Sequence, residues 1–237
     1  MLWLRSLVFN LYFWLGTALW SVGLRVVLPF VSRQTLARFV SVYARFILAG
    51  LRWICGVRLR VTGAEHLPRS GPALVAAKHQ SAYDTLVWLT LLPNACYILK
   101  QELLRIPLWG RVVSHTGHIG VDRSAGAGAM RHLLRAGRAA AADGQQMVIF
   151  PEGTRSALGE RGSYQPGIVA LATATGLPVI PVATDSGRCW ARRAFLKHPG
   201  TITIAVLPPL PVGLPKAQLL TTLEEIIETE SARLFKA

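Results

Sequence analysis

Hydrophobic and polar positions follow three successive patterns along the chain. From Ser6 to Leu24 there is no charged residue, and this apolar run of 19 residues is bracketed by Arg5 and Arg25. Such a run is long enough to cross a hydrocarbon layer of about 30 Å as a helix. After Pro29 the pattern becomes two-faced as far as Cys55: Arg38, Arg45 and Arg52 recur every seventh residue, with Phe39, Val42, Phe46, Leu48 and Leu51 between them. That spacing predicts an amphipathic helix with one basic face. Beyond Gly56, short β-rich runs alternate with helical ones, as in an α/β domain. Strands are predicted over 57–61, 73–77, 96–99, 118–121, 147–150, 179–183 and 201–206, and helices over 83–92, 101–106, 126–142, 166–175 and 216–235. The expected fold is α/β: a mixed, mostly parallel central sheet flanked by helices, over residues 56–237. A two-helix membrane-associating hairpin, residues 1–55, precedes it.

Composition sharpens the membrane reading. The 237 residues are 51% hydrophobic and only 16% charged, with 26 Lys and Arg against 12 Asp and Glu. The net charge of +14 needs an anionic partner, either nucleic acid or acidic lipid. Seven Trp and the apolar N-terminus favour a bilayer, where indole rings settle at headgroup level, and no nucleic-acid-binding motif is visible. An apolar helix followed by an Arg-striped one suits a hairpin lying in the membrane interface, aromatics among acyl chains and guanidiniums among phosphates. A single span over residues 6–24 is the competing arrangement. Cys55, Cys96 and Cys189 are unclustered, which excludes a disulfide framework, suggests no metal site and fits reduced thiols in a domain facing the cytosol.

Candidate chemistry centres on Lys78-His79-Gln80-Ser81-Ala82-Tyr83-Asp84, between two apolar runs. Five positions along a regular helix turn about 500°, so the His79 and Asp84 side chains meet only if His79 lies in the turn before the helix. Ser81 is the expected N-cap of that helix. A histidine whose ring is fixed by a carboxylate is suited to act as a general base near neutral pH. The spacing Ser81-x-x-Asp84 is equally that of a capping box, in which the carboxylate only reaches back to a backbone N–H. Further polar clusters follow predicted strands, at 117–123, 150–156 and 179–182, and ligands gather beyond the carboxyl ends of such strands. Arg123 and Arg155 carry guanidinium forks that match phosphate oxygens, Thr154 offers a hydroxyl, and Gly153 lets backbone approach a ligand closely. Taken singly, each arginine also reads as a surface residue and the 152–155 turn as an ordinary loop. The acidic run from Leu223 to Glu230 predicts an amphipathic helix packed on the sheet, with no catalytic role.

In this order and spacing, His79-x4-Asp84, Gly117 to Arg123, Phe150-Pro-Glu-Gly-Thr-Arg155 and Val179-x-Pro181 resemble the four motifs of the glycerolipid acyltransferase family. The likeness is specifically to the bacterial type of 1-acyl-glycerol-3-phosphate acyltransferase, and it covers residues 56–210. It implies transfer of an acyl chain from acyl-CoA or acyl carrier protein to the sn-2 hydroxyl of 1-acyl-glycerol-3-phosphate, forming phosphatidic acid. His79 is then the general base and Asp84 its orienting partner. Arg123, Glu152, Gly153, Thr154 and Arg155 hold the acceptor's glycerol phosphate, and Pro181 helps to shape the acyl pocket. No cofactor, metal or covalent acyl-enzyme is implied, and the expected location is the cytoplasmic face of the inner membrane. Two positions depart from the family pattern: Lys78 stands where Asn is common, and Gly120 where an aromatic residue is common. Lys78 is expected to add potential for phosphate or to lower the basicity of His79, and Gly120 to leave space near the acceptor. Two other readings keep part of this: the same chemistry on another acceptor such as a lyso-ornithine lipid, or a non-catalytic lipid-binding module.

Overall fold

Ser32 opens the Arg-striped helix as its N-cap, accepting a hydrogen bond from the Thr35 N–H at 3.2 Å, and Gly56 ends it in the left-handed region at φ 73. This helix is α2 (Arg33–Cys55), and the apolar run before it is α1 (Leu2–Val27). The computed structural model describes residues 1–236, the side chain of Arg123 apart. The two helices form the expected hairpin. Phe9, Gly16 and Leu24 are buried on one face of α1, while Trp3, Leu4, Val8, Leu11, Leu15, Leu19, Val22 and Val26 form an exposed apolar stripe at helical spacing. Close approach of the pair depends on Gly50: a methyl group there would lie 2.2 Å from the Tyr12 ring, which stacks on Phe46 at 4.6 Å.

All seven predicted strands form: β1 (Val57–Thr62), β2 (Ala73–Ala77), β3 (Ala95–Lys100), β4 (Ile119–Val121), β5 (Gln146–Ile149), β6 (Val179–Thr184) and β7 (Gly200–Val206). They join in the order β1-β7-β6-β2-β5-β3-β4, and every pairing is parallel except β6 with β7. The sheet is therefore mixed and mostly parallel, and β2, β3, β4, β5 and β6 all present their carboxyl ends on one edge. The helices are α3 (Asp84–Leu91), α4 (Trp109–His115), α5 (Ala127–Ala142), α6 (Gly167–Thr175) and α7 (Lys216–Lys236). The helix predicted over 101–106 is a short 3-10 turn, Gln101–Arg105, and α4 has no counterpart in the prediction. Pro107 and Gly110 interrupt the hydrophobic period there, and Leu108 takes φ 63 to start α4.

Alternation along the strands divides the core between the two faces of the sheet. Ala73, Val75 and Ala77 of β2 and Val148 of β5 face the layer containing α1, α2 and α3. Leu74 and Ala76 of β2 and Met147 and Ile149 of β5 face the layer of α5, α6 and α7. That parity places the site residues described next.

His118 is half-buried beside β4, and its Nδ1 accepts the Tyr97 N–H at 2.9 Å, so the ring is neutral. Burial and the nearby Arg33 push it down from 6.5 to about 4. A group whose proton is bound more tightly by the unfolded chain removes stability as pH falls, here from 6.5 down to about 4. The full loss is about 3 kcal/mol. Thermal unfolding of wild type and His118→Gln across that range is expected to show a flatter pH dependence for the variant, whose amide oxygen still accepts from Tyr97.

Candidate active site

The end of β2 and the start of α3 hold His79 and Asp84 together. His79 Nδ1 lies 3.0 Å from Asp84 Oδ2, and the same oxygen accepts the backbone N–H groups of Gln80 and Ser81, each at 2.8 Å. Both meanings of the sequence spacing are realised at once: the carboxylate closes the turn and fixes the imidazole. With the carboxylate accepting, Nδ1 carries the proton and Nε2 keeps its lone pair. Among the described residues none bonds Nε2. Ser81 is not the N-cap of α3; Tyr83 takes that position, and Ser81 Oγ accepts the Tyr83 N–H at 3.1 Å. Two residues between Ser81 and the first helical turn leave its hydroxyl for a local turn instead. Ser81 is fully buried and turned into this bond.

The segment after β5 clamps His79 from the other side. Phe150 stacks on the imidazole at 4.0 Å with 17° between the planes. Glu152 Oε2 accepts the His79 N–H at 3.0 Å, while Ser156 donates to the His79 carbonyl from its N–H at 2.9 Å and from Oγ at 3.2 Å. The peptide groups and ring of His79 are thus both fixed. Arg155, one residue before Ser156, is half-buried on this turn, with Gly153 in the left-handed region at φ 68 and Thr154 exposed. Burial lowers the Arg155 guanidinium from its ordinary value, Asp84 works against this, and Arg192 and Arg193 lower it further. Arg192 also donates to the Arg155 carbonyl at 2.9 Å. The rim beside the imidazole therefore carries a positive field that the sequence motifs alone did not include.

Several expectations are corrected. Glu152 was expected on the acceptor phosphate, yet its carboxylate is buried and turned inward, with Oε1 2.9 Å from Lys78 Nζ. An anionic side chain aimed at a phosphate would repel it, whereas inside it answers a buried ammonium. Lys78 is only 1% exposed and faces α7, so it adds no field at the rim. The space expected at Gly120 is filled: a methyl group there would lie 2.5 Å from both Gln101 Oε1 and Leu104 Cδ1. Pro181 is buried within β6, in register with Ala76 of β2. The Arg123 side chain lies outside the described residues. All three cysteines are buried and unpaired, and burial holds the Cys96 and Cys189 thiols up at about 12 and about 11, so they stay protonated. Grooves of about 370 and 390 Å³ flank α2, the second lined by Arg45, Arg52, Trp53 and Tyr83; neither is lined by His79 or Arg155.

The sequence and the fold that carry this site also match known proteins. The Acyltransferase family model matches residues 58–185. The chain is 32% identical over 210 residues to a 1-acyl-sn-glycerol-3-phosphate acyltransferase of Pseudomonas aeruginosa, covering 87% of this chain and 80% of that one. The chain belongs to the acyltransferase family. The human 1-acyl-sn-glycerol-3-phosphate acyltransferase alpha is 31% identical over 171 residues, 70% of this chain and 60% of the human protein. The crystal structure of the 1-acyl-sn-glycerophosphate (LPA) acyltransferase from Thermotoga maritima shares the fold, with TM-score 0.80 and 24% identity over 99% of this chain and 98% of that one. The matched residues of this acyltransferase run from β1 to the end of β6, and so contain both His79 and the turn at 152–155.

Proposed function

We propose that this acyltransferase moves a fatty acyl chain from the thioester of coenzyme A or acyl carrier protein to the free sn-2 hydroxyl of 1-acyl-glycerol-3-phosphate. The observation that carries the reading is the pairing of His79 Nδ1 with Asp84 Oδ2 at 3.0 Å, with Arg155 brought alongside by the Ser156 bond to the His79 carbonyl. His79 Nε2 takes the hydroxyl proton as the oxygen attacks the thioester carbon. Asp84 stabilises the imidazolium that forms. The tetrahedral intermediate then expels the thiolate, which recovers the proton from His79 as the free thiol. No acyl-enzyme is needed, and neither Ser81 nor a cysteine is placed to form one.

The guanidinium of Arg155, joined by Arg123, holds the acceptor phosphate, with Thr154 and the Gly153 backbone beside it. Replacing Arg155 by Gln is expected to raise KM for the phosphate acceptor about 10- to 100-fold with a much smaller change in kcat. Steady-state kinetics with acceptors that have or lack the phosphomonoester tests this. A strong preference for an acceptor without phosphate, such as a lyso-ornithine lipid, overturns the assignment.

The acceptor reaches the site from a membrane on which the hairpin lies. Residues 2–30 are long and apolar enough to cross a bilayer. Yet α1 is bound along its polar face to the domain: Ser6 Oγ accepts the Lys197 N–H at 2.9 Å, Asn10 donates to the Phe195 carbonyl at 3.0 Å, and Phe9 meets the Trp190 ring edge-on at 5.4 Å. These bonds favour the interfacial arrangement, with the apolar stripe of α1 in the acyl layer and Arg38, Arg45 and Arg52 among phosphates.

A further inference from the structure

We propose that Lys78 is a positioning residue for the acyl transfer: braced by Glu228 of α7, it holds Glu152 in the orientation that fixes the main chain of His79. The inference rests on His79 as the base. Strand parity sets up the arrangement, because Lys78 follows Leu74 and Ala76 toward the α7 face while His79 follows Val75 and Ala77 toward the α3 face. Lys78 Nζ lies 2.6 Å from Glu228 Oε1 and 2.9 Å from Glu152 Oε1, and donates to the Glu160 carbonyl at 2.9 Å. One ammonium thus ties the end of β2, the connection after β5 and α7 to a single point. Tyr164 donates to the same Glu228 oxygen at 3.1 Å, and burial together with both carboxylates raises its phenol, which keeps it a donor.

A buried ion cluster is a poor source of stability, since apolar side chains of similar volume often serve as well or better. Its geometric effect is specific. The carboxylate of Glu152 has one oxygen on Lys78 and the other on the His79 N–H, so the ammonium determines where the His79 peptide sits. Without that charge the buried Glu152 carboxylate has no counter-ion, and it leaves the His79 N–H for solvent whether or not Glu228 is present.

The test compares Lys78→Met, the double variant Lys78→Met/Glu228→Met and His79→Ala with wild type, using purified protein in mixed micelles with 1-acyl-glycerol-3-phosphate and acyl-CoA. Lys78→Met is expected to lower kcat about 10- to 100-fold while KM for the acceptor stays within about threefold. The double variant removes the unpaired charge at α7, recovers part of the melting temperature, and is expected to keep the kcat loss because Glu152 still lacks its ammonium. Return of kcat together with stability in the double variant overturns the proposal, as does a rise in KM with kcat unchanged. His79→Ala separates the two layers of the argument: wild-type turnover there removes the base assignment itself, whereas an inactive His79→Ala beside wild-type kcat in the Lys78 variants removes only the positioning role.

Discussion

Replacing His79 by Ala is expected to lower kcat by about 10²- to 10⁴-fold, the usual contribution of a positioned general base. The side chain is removed from a place where the backbone hydrogen bonds do not depend on the ring. Glu152 and Ser156 hold the His79 backbone, and Asp84 holds the N–H groups of Gln80 and Ser81. The variant therefore keeps its turn and loses the Nδ1 bond to Asp84 and the stacking on Phe150. Turnover of the purified variant, with its melting temperature and circular dichroism measured alongside, is the check. A folded His79→Ala protein with near-wild-type turnover contradicts the assignment.

Asp84→Asn is expected to give the second largest loss, on the order of 10²-fold or more in kcat with little change in KM. Asn has the same shape, and its amide oxygen can still accept the Gln80 and Ser81 N–H groups and the His79 Nδ1 proton. What disappears is the negative charge that stabilises the imidazolium as the hydroxyl proton arrives. Asp84→Ala removes those bonds as well, so it is expected to destabilise the turn, whereas Asp84→Asn is not. Melting temperatures and kcat for the two variants separate charge from scaffold: equal activity in wild type and Asp84→Asn would leave Asp84 as a cap alone.

The strands were legible because buried parallel β runs such as Leu74-Val75-Ala76 are short, apolar and bounded by turn residues. The spacing of His79 and Asp84 left their pairing balanced against a capping box, and only the three later motifs tipped it toward a base with its orienting carboxylate. Three parts were not legible. α4 begins at a strained Leu108 after Pro107, where no periodic signal survives. The inward orientation of Glu152 depends on an ammonium one residue before His79 and on a glutamate 150 positions away, a pairing no local pattern encodes. Glu228 itself lies in an acidic amphipathic helix for which no role at the site was expected, because its partner is supplied by the sheet rather than by α7. The same is true of Arg192, which joins the rim only because the loop after β6 folds back onto the 152–155 turn.

Purified protein in mixed micelles is to be given an acyl thioester with and without 1-acyl-glycerol-3-phosphate while thiol release and lipid product mass are followed together. One phosphatidic acid is expected for each thiol released, with no comparable thiol release when the acceptor is omitted. Thiol release at the same rate without acceptor, or the absence of a diacyl product, would contradict direct acyl transfer to this acceptor.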